Sequence, residues 1–218
     1  QALALYGVDR EEVTKIGLLG RAKPSTSLIA AHLPYYEPWG HIKYDPEKAK
    51  QLLKDSGITD FHFKIIVHTA DPNLYKEALV IQQQWKKIGV TTDVQQVDLG
   101  TMVGLGFARK VPITVWQWLS TRSDPIQDYN WLRSDSVTNR SWLQINVPEF
   151  DQKMTDASST FDEGERKKLL NEAYKAIVDD AKWTNISYVH SYRSMKKNVM
   201  NFKNHRDING RMKDVWLA

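Results

Sequence analysis

The apolar positions of this chain recur in two different periods, and each period predicts a different element. Residues 61–67 are apolar at every second position, which predicts a strand with one buried face. Residues 90–97 and 184–189 also read as strands. Residues 73–88 are apolar at helical spacing, and Gly89 ends that run. The helical positions are Ala78, Ile81, Trp85 and Ile88.

Several of the predicted helices begin at an aspartate that can cap them. Asp45 is followed by a proline suited to the first helical position, and Gly57 provides a left-handed stop. Asp9 and Asp162 are also placed to act as N-caps, and Glu165 completes a capping-box pattern with Asp162. The order along the chain is then helix, strand, helix, strand. This order predicts an α/β domain whose sheet is covered by helices.

The stretch from 111 to 139 has the density of aromatic residues expected of a binding cleft. Residues 111–115 are β-branched enough to form a strand, which leads directly into Trp116 and Trp118. Turn-forming residues follow at 120–125. Rigid rings at the end of a strand suit a ligand site, although a single Trp is more often part of a core. The pattern therefore indicates a cleft wall and no particular chemistry.

Composition and charge remove several classes of protein. Hydrophobic residues make up 41% of the 218 residues, which is ordinary for a globular protein, and no apolar run reaches the length of a transmembrane span. The net charge of +4 is mild, and the lysine pairs are scattered rather than arranged in a stripe. We therefore expect no nucleic-acid partner.

The sequence contains no cysteine, which excludes disulfides, thiolate metal sites and cysteine nucleophiles. An exported protein often avoids stray thiols, and so do many cytosolic proteins. The sequence opens at Gln1 in what reads as the middle of a helix. We therefore expect a fragment of a longer chain.

The sequence contains no recognised catalytic or metal-binding motif. The glycines at 100–106 lack the spacing of a nucleotide-binding loop. His62 and His68 would lie on one face of a strand but roughly 20 Å apart, which is too far to share a metal ion. We predict neither a metal nor a cofactor. Asp124 and Asp128 could form a carboxylate pair, but Asp124 before a proline is more simply a turn residue.

Five segments together resemble one known family. They are QALALYGVDREEV at 1–13, LLGRAKP at 18–24, YDPEKAKQLLKDSG at 44–57, IQQQWKKIGV at 81–90 and PEFDQKM at 148–154. The Trp118 to Pro125 loop fits the same pattern. The set is similar to the C-terminal part of the extracytoplasmic solute-binding proteins of family 5, the peptide, nickel and oligosaccharide receptors of ABC importers.

This resemblance implies a lobe of a type II periplasmic-binding-protein fold, with a mixed sheet covered by helices. It implies that residues 1–190 form the second, ligand-binding lobe and that residues 191–218 cross back towards the first lobe. A hinge would close the two lobes on a ligand. The protein would be a carrier rather than an enzyme.

The family's ligand-binding positions transfer unevenly to this sequence. Trp118 matches a tryptophan at the end of the cleft strand. The aspartate that would hold a peptide's α-amino group is replaced by Thr121, which carries no charge, and Arg122 beside it would repel an ammonium. The resemblance therefore implies that a free peptide N-terminus is not bound in the family's usual way.

Other candidates for ligand contact are His68, Asn139 and Arg140, in addition to Trp116. His68 lies in a loop that matches a cleft-lining segment, and Asn139 precedes the PEFD motif. Arg122 and Arg140 could each bind a carboxylate in a bidentate manner, although each could equally be a solvated surface residue.

The expected ligand is a peptide-like or other small organic solute, with an oligosaccharide or an opine as the alternative. The expected partner is the ABC-transporter permease, and the expected state is a monomer in the periplasm or anchored to the outer face of the cytoplasmic membrane. A glycoside hydrolase using Asp124 and Asp128 and a chaperone-like role are the competing classes.

Overall fold

The structure is a computed structural model that describes residues 1–38, 43–117, 124–190, 192–203 and 212–218, with the side chain of Asp128 left out of the description. The helices are α1 (Arg10–Glu12), α2 (Pro46–Asp55), α3 (Pro72–Lys87), α4 (Leu99–Phe107), α5 (Pro125–Tyr129), α6 (Pro148–Ser159) and α7 (Glu163–Asp179). Shorter helical turns lie at Ala2–Tyr6, Val13–Gly17, Asn130–Leu132 and Asn139–Leu143. The strands are β1 (Ala22–Pro24), β2 (His62–His68), β3 (Thr91–Val97), β4 (Ile113–Thr114), β5 (Ser187–Val189), β6 (Val199–Met200) and β7 (Trp216–Leu217).

The predicted helix caps are present. The carboxylate of Asp45 accepts a hydrogen bond from the Lys48 amide at 2.9 Å, and Asp162 accepts one from the Glu165 amide at 2.8 Å. Asp9 caps α1 in the same manner. These bonds satisfy amides that a helix leaves without an internal partner at its first turn.

The central sheet has the strand order β3-β2-β4, and both pairings are parallel. In the register of β2 and β4, Ile65 lies opposite Ile113. The second half of β2 is buried on both faces, so the predicted alternation fails from Ile65 to His68. β2 lies between β3 and β4 and is covered by helices, so this part of it has no face exposed to solvent and no alternation of buried and exposed residues.

The buried apolar residues form two clusters. The sheet cluster joins β2 to α3 and includes Ile65, Val67 and Ile81. The helix cluster centres on the packing of α6 against α7 and includes Phe150 and Tyr174. β1 pairs antiparallel with β5, and this pairing ties the start of the chain to residues close to position 190.

Several elements differ from the sequence predictions. α4 and α6 were not predicted, and the predicted strands at 111–115 and 184–189 contribute only short β4 and β5. α7 ends at Asp179, and Ala181, two residues beyond it, has a left-handed φ of 63°.

Candidate functional site

An aromatic group lies where β2 and β4 end. The rings of His68 and Trp116 meet edge to face, with centroids 4.7 Å apart and planes at 69°. The Trp116 ring meets the Trp142 ring in a similar way, at 5.4 Å and 83°. Phe107 extends the group, with its ring centroid 6.2 Å from that of Trp142. The group thus forms one continuous aromatic wall.

The parallel sheet brings these residues together. His68 is the last residue of β2, and Trp116 lies two residues beyond the end of β4. β2 and β4 are neighbours and run in the same direction, so both residues reach the same edge of the sheet. Ligands of open α/β sheets bind outside the carboxyl ends of the strands. The aromatic wall therefore occupies the position where a ligand is expected.

A glycine allows Trp142 to reach this wall. A Cβ atom on Gly106 would lie 2.3 Å from the Trp142 ring, well inside van der Waals contact. The tryptophan ring therefore packs directly on the backbone of α4. Neither Trp142 nor Gly106 was identified from the sequence, because they lie just outside the cleft stretch of 111–139 and neither fits a motif.

His68 has an unusual environment for a polar ring. The residue is only 8% exposed, and its Nδ1 atom is buried without a hydrogen-bond partner among the described residues. Buried polar atoms are nearly always paired, so an orphaned ring nitrogen beside a candidate ligand position indicates a missing partner. A contact between His68 and a ligand stays a prediction.

Asn139 has a different environment from the one its prediction requires. The residue is 1% exposed, and its amide nitrogen donates to the carbonyl oxygens of Leu132 and Ile145, both at 2.7 Å. Its side-chain oxygen accepts from the Ile145 amide at 2.7 Å. Both amide hydrogens are used internally, so the geometry favours a structural role. Its contact with a ligand stays a prediction.

Arg140 is exposed, and its backbone carbonyl accepts a hydrogen bond from the Arg109 guanidinium at 3.2 Å. Trp118, Thr121 and Arg122 lie outside the described residues, and their predicted roles stay predictions.

The partners of Asp124 give it a structural role that requires no catalytic function. Its carboxylate accepts from the Ile126 amide at 3.0 Å and caps α5, and it forms an ion pair with the Arg166 guanidinium at 2.7 Å. Part of the predicted carboxylate pair is thus engaged in holding α5 to α7. In the described part of the chain, no group of three or more His, Cys, Asp or Glu side chains could hold a metal ion.

Two charged residues, Arg10 and Glu77, are buried in the fold. Arg10 donates to the Asn185 carbonyl and to the Thr184 hydroxyl, each at 2.9 Å, and to the Ala4 carbonyl at 3.2 Å. Burial lowers the pKa of Arg10 to about 10. Burial, reinforced by the carboxylate of Asp71, raises the pKa of Glu77 to about 7.

Comparison with known proteins identifies the family. The family described as "Bacterial extracellular solute-binding proteins, family 5 Middle" matches residues 1–140. The chain belongs to this family. Its members are solute-binding proteins rather than enzymes, and the resemblance seen in the sequence is confirmed.

Relatives of known binding activity extend the match along the chain. Heme-binding protein A of Haemophilus influenzae is 24% identical, with 90% of this chain and 37% of the relative covered. Glutathione-binding protein GsiB of Salmonella typhimurium is 25% identical, with 90% and 40% covered. The chain therefore spans about two fifths of the length of these curated relatives.

A solved structure supports the predicted fold. The oligopeptide-binding protein AppA of Bacillus subtilis, in complex with a nonapeptide, superposes with a TM-score of 0.82 at 24% identity, covering 100% of this chain and 46% of that one. The fold is thus that of a lobe of a type II periplasmic binding protein. Across the described ranges, no helix has the length and apolar character needed to cross a bilayer.

Proposed function

We propose that this chain is the second lobe of an extracytoplasmic receptor that captures a small organic solute for an ABC importer. The observation that supports it best is the aromatic wall at the carboxyl ends of β2 and β4, formed by His68, Trp116, Trp142 and Phe107. In a two-lobed receptor this edge would face the other lobe across the cleft. The captured solute would pass to a membrane permease, and the protein would release it unchanged.

The proposed ligand is peptide-like or another small organic molecule with a flat or apolar part. Rings arranged edge to face offer apolar area at little entropic cost, and the His68 ring adds a polar atom that can fix orientation. An oligosaccharide or an opine is the alternative within the same family, because tryptophan rings also stack on flat sugar faces. The relatives named above are a heme-binding and a glutathione-binding protein, so related proteins bind solutes of different chemistry.

The division of the chain follows the same proposal. Residues 1–190 would form the lobe, and residues 191–218 would cross back to the first lobe. In the latter part β6 pairs with β7, where Trp216 is 55% and Leu217 is 72% exposed. Large apolar side chains at this exposure suit a segment that another part of the protein covers.

We further propose that the protein is a monomer on the outer side of the cytoplasmic membrane, either free in a periplasm or anchored to that membrane.

Native mass spectrometry of the full-length protein, purified gently from its own host, tests the proposal. An adduct that disappears on denaturation is expected, and its mass would separate peptide, sugar and metal complex. The receptor proposal fails if no adduct is found and a panel of peptides, sugars and metal complexes also gives no binding in calorimetric titration.

Matched tryptophan variants locate the site. Trp116→Leu removes a ring from the aromatic wall, whereas Trp131→Leu removes a ring that packs on Trp183 in the helix cluster. We expect ligand affinity to fall about tenfold in the first variant, since an aromatic contact contributes about 0.5–1.5 kcal/mol, and to stay unchanged in the second. Equal effects in both variants would contradict the assigned site.

A further inference from the structure

A cavity lies along one face of α7, beside the helix cluster and not at the aromatic wall. Its volume is about 490 Å³. One side of it is the face of α7 that runs from Gly164 to Lys175, and the other side contains Glu37 and Pro38. We call this cavity the α7 groove. It shares no residue with the aromatic wall, so a ligand bound here would not occupy the site proposed for the transported solute.

Asn171 gives the α7 groove a buried atom that lacks a partner. The residue lines the groove and is 8% exposed, and its Nδ2 atom donates to the carbonyl oxygens of Tyr35 and Lys167, both at 2.9 Å. Because both partners are acceptors, these bonds fix the orientation of the amide. Its Oδ1 atom is buried and receives no hydrogen bond from any described residue. Buried polar atoms are nearly always paired, so this oxygen calls for a donor that a ligand brings.

Lysine side chains line the same groove. They are those of Lys167, Lys168 and Lys175. The Lys168 ammonium lies 3.7 Å from the carboxylate of Glu165, and the Lys175 ammonium forms an ion pair with Asp179. Ion pairs at the surface contribute little to stability, so their ammonium groups can turn towards another anion. The α7 side of the groove therefore offers positively charged donors to a ligand.

Carboxylates at the groove complete its chemistry. Glu172 lines the groove and accepts a hydrogen bond from the Lys153 ammonium of α6, which lowers the pKa of Glu172. Its charge is thus compensated from the side of α6. Glu37 is exposed on the opposite side of the groove, where its carboxylate can accept a hydrogen bond from a ligand. A complementary ligand therefore combines an anionic group with hydrogen-bond donors.

We propose that the α7 groove binds a polyol phosphate, with the phosphate group against the lysines and a hydroxyl group donating to Asn171 Oδ1. Lysine is a common partner of phosphate, and a hydroxyl can both donate and accept. The side chains of Lys168 and Lys175 are 63% and 52% exposed, so they can move aside as the hydroxyl reaches the buried oxygen. The same chemistry occurs in a free phosphate ester and in a lipid headgroup. This proposal does not depend on the transported solute.

Calorimetric titration of the full-length protein at pH 8 tests the roles of charge and of Asn171 together. Glycerol phosphate and inorganic sulfate each carry about two negative charges at this pH, but only glycerol phosphate has hydroxyl donors. We expect glycerol phosphate to bind at least about tenfold more tightly, because sulfate leaves the Asn171 oxygen unpaired. Equal affinities, or no binding of glycerol phosphate, would overturn the proposal.

Matched lysine variants locate the binding. A double variant with Lys167→Gln and Lys175→Gln removes two ammonium groups from the groove, and a control with Lys86→Gln and Lys87→Gln removes the same charge from the last turn of α3. Glutamine and lysine have similar helix propensities, so both variants should fold. We expect glycerol phosphate to bind at least about tenfold more weakly to the first variant only. Similar losses in both, or no loss in the first, would refute the assigned groove.

Vesicle flotation distinguishes the two sources of the ligand. Vesicles of phosphatidylglycerol present a glycerol phosphate headgroup, whereas the headgroup of phosphatidylcholine has no free hydroxyl. Flotation with phosphatidylglycerol alone, lost in the groove variant and kept in the control, would assign the groove to a lipid headgroup. Binding of glycerol phosphate without flotation would assign it to a free phosphate ester. Either outcome supports a polyol phosphate, and the absence of both contradicts it.

Discussion

Gly106 lies where the Trp142 ring leaves no room for a side chain, whereas Gly104, two residues earlier in α4, faces open space. Replacing a glycine in a helix by alanine normally stabilises it by up to about 1 kcal/mol. We expect this gain for Gly104→Ala. We expect Gly106→Ala to destabilise the protein by about 1–3 kcal/mol, because its Cβ would displace the indole.

The two glycine variants are compared by thermal unfolding and by the intrinsic fluorescence of the full-length protein. Only Gly106→Ala should shift the tryptophan emission, and it should also weaken ligand binding by moving the aromatic wall. Stabilisation by both alanines would show that Trp142 does not rest on α4.

Asn139 provides a second test at this scale, because the three hydrogen bonds of its side chain are all internal. We expect Asn139→Ala to lower the free energy of unfolding by about 2–4 kcal/mol, since it leaves buried backbone groups without partners. The exposed Asn130 is the control, and Asn130→Ala should change stability by less than about 0.5 kcal/mol. If Asn139→Ala instead abolished binding while stability stayed intact, a direct ligand contact would be established.

Glu77 makes stability depend on pH. The folded protein raises the pKa of Glu77 from 4.5 to about 7, so it retains a proton that the unfolded chain releases. The contribution of Glu77 to the free energy of unfolding therefore falls as pH rises from about 4.5 to about 7, by on the order of 3 kcal/mol. We expect Glu77→Gln to remove this decline and to be stabilising at pH 8 relative to the wild type.

Thermal unfolding at several pH values between 5 and 8 measures this effect. Glu149→Gln, at an exposed position on α6, is the matched control and should follow the wild type at every pH. A Glu77→Gln profile parallel to that of the wild type would exclude a shifted titration at this position.

At the scale of elements, local signals predicted some helices well and others poorly. α2 and α7 combine a predicted capping aspartate with apolar residues at helical spacing, and α3 was predicted from its apolar spacing alone. These signals act within the segment itself. α4 carries three glycines and no clear polar face, so its period is masked. Asp98, whose carboxylate accepts a hydrogen bond from the Thr101 amide, was the residue in the sequence that could have revealed this helix. β4 and β5 depend on neighbours rather than on their own pattern, so their lengths could not be predicted.

Asp124 connects two elements, and its variants separate a structural role from a catalytic one. Asp124→Asn keeps the oxygen that caps α5 but loses the charge that pairs with Arg166, and it should cost about 1 kcal/mol of stability or less. Asp124→Ala also loses the cap and should cost about 1 kcal/mol more. Thermal unfolding measures both, and ligand titration should give unchanged affinities. Loss of product formation from a glycoside in Asp124→Asn would contradict the carrier proposal.

At the scale of the whole molecule, the α/β class followed from the alternation of helical and strand periods, and the family followed from a few motif segments. The division of the core into two clusters was not foreseeable, because it depends on which distant segments pack together, as those of Tyr129 and Tyr174 do within the helix cluster. Only some residues of the candidate site could be predicted from the sequence. His68 and Trp116 could be named from their positions, but Trp142 reaches them only through the packing of α4.

The pairing of β1 with β5 has a consequence for how the molecule folds. Ala22 lies opposite Val189, so nearly the whole chain must be available before this ladder can close. Contacts between residues so far apart in sequence require a large loop to be closed first, and such topologies fold slowly. The β1–β5 ladder is therefore among the last contacts that we expect to form as this part of the protein folds.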